Sequence, residues 1–293
     1  MTTSLPELKI YATKFTLEII KEELESENLN NINLVEIKPH RKINFGKNSV
    51  FPISLTHTVP DAVGFVINTE DGAIFYTGNF VFDSTMLGAY KTDIGKLAYV
   101  GKQGVLCLMS ESLYADKIGY TAPNHRTADA ISKVLNNTEG RILYNIYQAQ
   151  LHRIQELFSE VMKTERKVVI VGKRLEKVIL KAIDMKYIDF DKSRICPIHH
   201  VNDENVLVII SDEREKPFSN LQRIVKGYDK FTKINSTDTV VFGSPIYDGM
   251  EKTATGIFDE IAKKDANLIV LSMKKYLSHH ASSEDLMLML NLI

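Results

Sequence analysis

The stretch RILYNIYQAQLHRIQELFSEVMKTERKVVIVGKRLEKVILKAIDMK (residues 141–186) decides the fold class. RILYNIY is a short apolar run of strand length. LHRIQELFSEVMK (151–163) has apolar residues at helical spacing. KVVIVG (167–172) repeats the strand pattern and RLEKVILKAIDMK (174–186) the helix pattern. Strand, helix, strand, helix predicts parallel strands joined by helical crossovers. The alternation extends both ways. Upstream, GVLCLMS (104–110) reads as a strand buried on both faces, and RTADAISKVLNN (126–137) as a helix. Downstream, strands VLVIIS (206–211), TVVFGSP (239–245) and NLIVLS (267–272) alternate with helices at 217–227, 250–264 and 282–293. The expectation is a doubly wound α/β domain whose ligands gather at the carboxyl ends of its strands.

Before residue 104 the pattern differs. Residues 14–27 read as a helix, and INLVEI (32–37), VFPISLTH (50–57), AVGFVIN (62–68) and AIFYTGN (73–79) as short strands. Asp71-Gly72 separates two of them as a hairpin turn would. This part predicts a mixed or antiparallel sheet.

The chain has 293 residues, 44% of them hydrophobic, which is enough for a real core. The formal net charge of -1 gives no global reason to expect a nucleic-acid partner. Cys107 and Cys196 show no pairing motif and read as free thiols of a reducing compartment. No apolar run reaches the ~18 residues that span a bilayer, and the first residues lack a signal-peptide profile. The expectation is a cytoplasmic protein without a membrane partner. Both ends are apolar, which predicts neighbouring structure beyond them.

Polar residues collect where strands end. His57 follows VFPISLT, Asn79 follows AIFYTG, and Glu111 follows GVLCLMS. Gln148, Gln150, His152 and Arg153 follow RILYNIY. Asp212, Glu213 and Arg214 follow VLVIIS, and His279 and His280 lie past NLIVLS. Each has a local explanation, such as a turn or a helix cap. Ser282 or Ser283 with Glu284 and Asp285 suits a helix N-terminus. Neither GxGxxG nor GxxxxGK[ST] occurs, which argues against a nucleotide-binding protein of the phosphate-loop kind.

Taken in order, several segments resemble one family. HTVPDAVGFVINTEDGAIFYTGNFVFD (57–83) is similar to a pattern HSIPDSxG…TGDFKFD. GVLCLMSES (104–112) is similar to GVLxLxSDS, and GRILYNIYQAQLHRIQ (140–155) to GRIIxxxFASNIHR. DTVVFGSPI (238–246) resembles DTVVFSSSPI, and LSHHASSEDLMLMLNLI (277–293) resembles TSGHASQEDLKLMLxLLKP. These patterns belong to the bacterial ribonuclease J family, metallo-β-lactamase-fold nucleases with an inserted β-CASP domain.

The resemblance implies an incomplete metallo-β-lactamase-like αββα half with an inserted doubly wound β-CASP domain. The implied boundaries are 1–120 for the first part, 121–262 for the insert and 263–293 for the return. It also implies the chemistry of a two-zinc phosphodiester hydrolase, in which a metal-bound hydroxide attacks phosphorus. His57 falls at a metal-ligand position and Asn79 where the family has a metal-bridging aspartate. Glu111 and His280 fall at the catalytic pair, the acid orienting a histidine that protonates the leaving oxygen. Ser278, His279 and Ala281 fall in the phosphate-binding turn. Gln150, His152 and Arg153 fall in a nucleotide-binding segment.

The chain also departs from the family. It contains no HxHxDH motif, which would lie upstream of residue 1, and the family's PxHGE segment would lie beyond Ile293. Asn79 replaces a carboxylate. SDEREKP (211–217) stands where the family has TGSQGEP, and two acids there would repel phosphate. The expectation is an impaired ribonuclease J-like protein that does not retain the two zinc ions and is inactive by itself. It would bind single-stranded RNA, or pair with an active paralogue or with itself. With no Trp, base stacking would fall to Tyr and Phe. The alternatives are an active nuclease completed by an upstream segment, a fragment without function, and a non-nuclease nucleotide-binding protein.

Overall fold

The computed structural model describes residues 8–29, 32–123, 125–147, 150–212, 216–246, 249–271 and 279–293. The chain divides into two units, residues 1–123 with 279–293, and residues 124–278.

Unit one begins with β1 (Lys9–Ala12), α1 (Lys14–Ser26) and β2 (Asn33–Glu36), where β1 and β2 pair in parallel. A five-stranded sheet follows from β3 (Ile43–Phe45), β4 (Asn48–Ser54), β5 (Val63–Asn68), β6 (Ala73–Tyr76) and β7 (Cys107–Met109), hydrogen-bonded in that order. The β5–β6 hairpin turns at Gly72, whose φ of 146° suits glycine. β6 and β7 are parallel, so a crossover must join them. That crossover contains α2 (Ile94–Gln103), capped by Asp93, whose carboxylate accepts from Lys96 N at 2.9 Å. The expected burial of 104–110 on both faces is corrected here. β7 is the edge strand, and Leu106, Cys107 and Met109 are exposed. A continuous apolar run fits a central strand, but it does not say on which side a neighbour lies.

Unit two contains α3 (Ala128–Asn137), β8 (Ile142–Tyr147), α4 (Leu151–Val161), β9 (Lys167–Val171), α5 (Lys173–Asp184), β10 (Ile195–Cys196), β11 (Val206–Asp212), α6 (Ser219–Val225), β12 (Thr239–Phe242), α7 (Glu251–Ala262) and β13 (Asn267–Val270). Its six strands are all parallel, in the order β10-β9-β11-β8-β12-β13. The central strands β8, β11 and β12 are buried along nearly their whole length, as expected of strands covered on both faces. β13 pairs with β12 and falls within this unit, which runs to residue 278. The residues after it form α8 (Ser283–Leu292), which packs in unit one, where Met289 joins Phe75, Phe80 and Leu97 in the core. Among the described residues no helix is long and apolar enough to cross a membrane.

At the amino edge of the six-stranded sheet, Arg141 is buried against Asp238. The carboxylate accepts from Nε at 2.9 Å and from Nη2 at 2.5 Å. The same guanidinium donates to the carbonyls of Val201 (2.9 Å) and Lys233 (2.6 Å) and to Thr232 Oγ1 (2.6 Å). One buried cation thus joins its own connecting segment to two others, the one before β11 and the one before β12. Asp238→Ala leaves it without its anion, and the expected loss is about 3–5 kcal/mol of stability. Chemical denaturation followed by circular dichroism measures this, and a loss within about 0.5 kcal/mol, the scale of a surface substitution, would contradict it.

Candidate functional site

In unit one, strand ends and one helix start bring the sequence-predicted residues together. Glu111 follows β7. Its Oε2 accepts from His280 Nδ1 at 2.6 Å, while Oε1 accepts from Phe80 N at 2.7 Å and Ala281 N at 3.2 Å. The Glu111 side chain is 7% exposed and that of His280 28%. The carboxylate therefore sits behind the imidazole and fixes Nδ1 as the donor. The His280 ring meets Tyr114 edge-on at 5.6 Å, and Lys117 Nζ lies 3.1 Å from the Tyr114 centroid.

His57 follows β4 and its Nδ1 lies 3.2 Å from Thr58 Oγ1. Burial pushes its pKa down to about 4, repulsion from His280 adds to the shift, and Glu111 opposes it. These causes put His57, His280 and Glu111 in one electrostatic neighbourhood. Asn79 lies just past β6, beyond Gly78 with φ of 63°, and is exposed. Ala281 is fully buried in the core, so only its backbone serves the site, and His279 is buried too. Ser278, Gln148, Glu213 and Arg214 lie outside the described residues.

This donor set does not fit a pair of zinc ions. Asn79 offers a neutral amide where charge is needed, and both oxygens of Glu111 already accept hydrogen bonds. Among the described residues no group of three or more His, Cys, Asp or Glu side chains is placed to hold a metal ion. What the arrangement can do is hold one oriented imidazole.

In unit two, Gln150, His152 and Arg153 start α4 and are all buried. Arg153 Nη1 donates to Gln150 Oε1 at 3.3 Å and Nη2 to the His125 carbonyl at 3.2 Å. Burial lowers the Arg153 pKa to about 10. One helical turn on, Glu156 accepts from Thr127 N at 3.0 Å, from Thr127 Oγ1 at 2.9 Å and from Arg126 Nε. Burial opposes ionisation of Glu156, but the nearby His152 imidazole and the bonds from Arg126 and Thr127 outweigh it, so its pKa is lowered. The three predicted residues thus belong to a network that ties residues 125–127 to α4. Sequence reading missed Arg126 and Glu156. The available signal was an acid at the i+3 and i+4 positions from Arg153 and His152 on an otherwise core-facing stripe. It also missed Asp285, read there only as a helix-start acid. Asp285 is fully buried, with bonds from Phe82 and Thr121 as well as Ser282.

Comparison with known proteins agrees with this geometry. Residues 139–261 match the family model of the ribonuclease J β-CASP domain. Across 288 residues the chain is 31% identical to ribonuclease J2 of Bacillus subtilis (strain 168), covering 97% of this chain and 52% of that protein. Ribonuclease J 2 of Staphylococcus aureus (strain NCTC 8325 / PS 47) is 30% identical over 292 residues, with the same coverage. A crystal structure of a protein of unknown function from Enterococcus faecalis V583 superposes with a TM-score of 0.67 at 15% identity. It covers 98% of this chain and 68% of that one, a likeness of fold alone. Unit two is a β-CASP domain. The chain belongs to the ribonuclease J family. It spans about half the length of the curated relatives it matches.

His152 is held neutral, its pKa pushed down to about 4 chiefly by burial. The unfolded chain, with an ordinary value near 6.5, binds this proton first as pH falls. Stability is therefore full above pH 6.5 and declines towards pH 4, by on the order of 3 kcal/mol for this group. His57 adds a decline of the same sign in unit one. Urea denaturation at pH 7 and pH 4.5 should show a smaller pH-dependent loss for His152→Gln than for the wild type. Equal losses would contradict the assignment.

Proposed function

We propose that this chain is a ribonuclease J-type protein that binds single-stranded RNA through unit one and is impaired as a hydrolase. Unit one is read as a metallo-β-lactamase-like half and unit two as its β-CASP insert. The observation that carries the reading is the Glu111–His280 pair at 2.6 Å beside an exposed Asn79. The phosphate-facing acid–histidine pair is kept, while the position matching a metal-bridging aspartate holds an amide. In this reading Glu111 orients His280, Nε2 of His280 contacts a backbone phosphate, and the turn at 279–281 supports it. No step runs through a metal held by residues 1–293. Buried as they are, Gln150, His152 and Arg153 act on RNA through the shape of the β-CASP domain. The family's metal-dependent hydrolysis would need ligands from outside this chain. The implied partners are RNA and an active ribonuclease J copy, and the cytoplasm is where such a pairing would occur.

The intact Glu111–His280 geometry also favours a second reading, an active nuclease whose remaining ligands come from another segment. Fluorescence anisotropy with a labelled single-stranded oligoribonucleotide tests the first reading. Binding is expected, weakened by about 1–3 kcal/mol in His280→Ala, the scale of a lost charged hydrogen bond. Unchanged affinity in the variant would remove His280 from the binding surface. Asn79→Asp with added zinc or manganese is expected to cleave no RNA. Metal-dependent cleavage by that variant or by the wild type would favour the second reading.

A further inference from the structure

Behind the Glu111–His280 pair lies a second buried carboxylate. Asp285 sits in the first turn of α8 and is fully buried. Its Oδ1 accepts from Phe82 N at 3.1 Å. Its Oδ2 accepts from Thr121 N at 2.9 Å, Ser282 N at 3.1 Å and Ser282 Oγ at 3.0 Å. Four donors converge on one side chain, and the positive end of α8 adds to them. A cap needs only its own helix start, yet this one reaches two further segments, 203 and 164 residues away in sequence.

Those segments frame the candidate site. Phe82 lies two residues beyond Phe80, whose N–H bonds Glu111. Thr121 donates from Oγ1 to the His280 carbonyl at 2.7 Å. Ser282 adjoins Ala281, whose N–H also bonds Glu111, and donates from Oγ to the Gly119 carbonyl at 2.5 Å. Asp285 therefore ties together the segments at 80–82, 119–121 and 280–282 that surround the Glu111–His280 pair.

We propose that Asp285 is the positioning residue of the Glu111–His280 pair, locking the imidazole with Nδ1 on the acid. This rests on the reading of that pair as the phosphate-contacting centre. An amide at position 285 replaces one acceptor oxygen by a donor NH2 group and faces N–H groups it cannot satisfy. The turn at 280–282 then relaxes and His280 samples both tautomers.

The test is a long-range nitrogen–proton NMR spectrum of the histidine side chains at neutral pH, on the full chain without RNA. His280 is assigned by its absence in His280→Gln. The wild type should show a single Nδ1–H tautomer at His280, and Asp285→Asn an averaged pattern. Glu284→Gln, an exposed charge in the same helical turn, should leave the wild-type pattern. A folded Asp285→Asn with the wild-type pattern overturns the proposal, as does an equal change in Glu284→Gln. If Asp285→Asn does not fold, Asp285→Ser decides. It leaves a short acceptor at the helix start but cannot bridge Phe82 and Thr121, so an averaged pattern supports the proposal and an unchanged one overturns it. The readout concerns the imidazole alone, so a failure of RNA binding would leave this result standing, and the reverse holds too.

Discussion

The carboxylate of Glu111 is the constraint on which unit one depends. It accepts three hydrogen bonds from residues 31, 169 and 170 positions away. A strand end, a loop and a helix start meet at one buried anion, which would be costly to bury without those donors. The stability of the unit and the orientation of His280 are thus one problem with one solution. Loosening the acid would loosen the sheet-to-helix packing and the imidazole together. Part of the site can therefore persist for structural reasons after a change in chemistry at position 79.

Unit two repeats the arrangement with opposite emphasis. Its buried charges lie at the edges of the parallel sheet and in the crossover leading into it. Arg141 with Asp238 closes the amino edge, and Glu156 with Arg126 fastens residues 125–127 to α4. Each ion is supplied with partners from a connection distant in sequence, so removing one strands the others. The strands between them are almost purely aliphatic and carry no information about where their loops go. In a parallel sheet the connections must be set by such polar fastenings at the ends.

This division explains what the sequence made legible. The period of apolar residues predicts the parallel domain, because every strand of unit two except β10 is long enough to show its pattern. β10 was missed because two residues have no period. The run at 104–110 was misplaced because hydrophobicity reports burial preference and not sheet order, so the edge position of β7 could not be read from it. Within the site, Glu111, His280 and His57 could be chosen because polar residues at strand ends stand out against apolar runs. Gln150, His152 and Arg153 stood out in the same way. Their burial depends on partners at 125–127 and 156, and strand-end position cannot distinguish a surface group from one covered by a neighbouring loop.

The substitution at position 79 is best understood through this separation of roles. Asn79 is exposed, whereas Glu111 and Asp285 are buried and hydrogen-bonded. Exchanging a carboxylate for an amide at an exposed strand end changes little in packing. The same exchange at 111 or 285 would set a donor NH2 group against a donor now bonded there, at a cost of about 1–3 kcal/mol. Stability therefore holds the second pair of acids in place and exerts almost no hold on the first position. A chain can lose a metal-bridging acid at such a surface position and still fold. It cannot lose the acids that hold its histidine without disturbing the turn that presents it. Retention of Glu111 and His280 is thus weaker evidence for hydrolysis than their pairing suggests, because the fold alone gives a reason to keep the acid. The histidine has structural contacts of its own, one bond to Glu111 and an edge-on packing against Tyr114, so its place in the unit also follows from the fold.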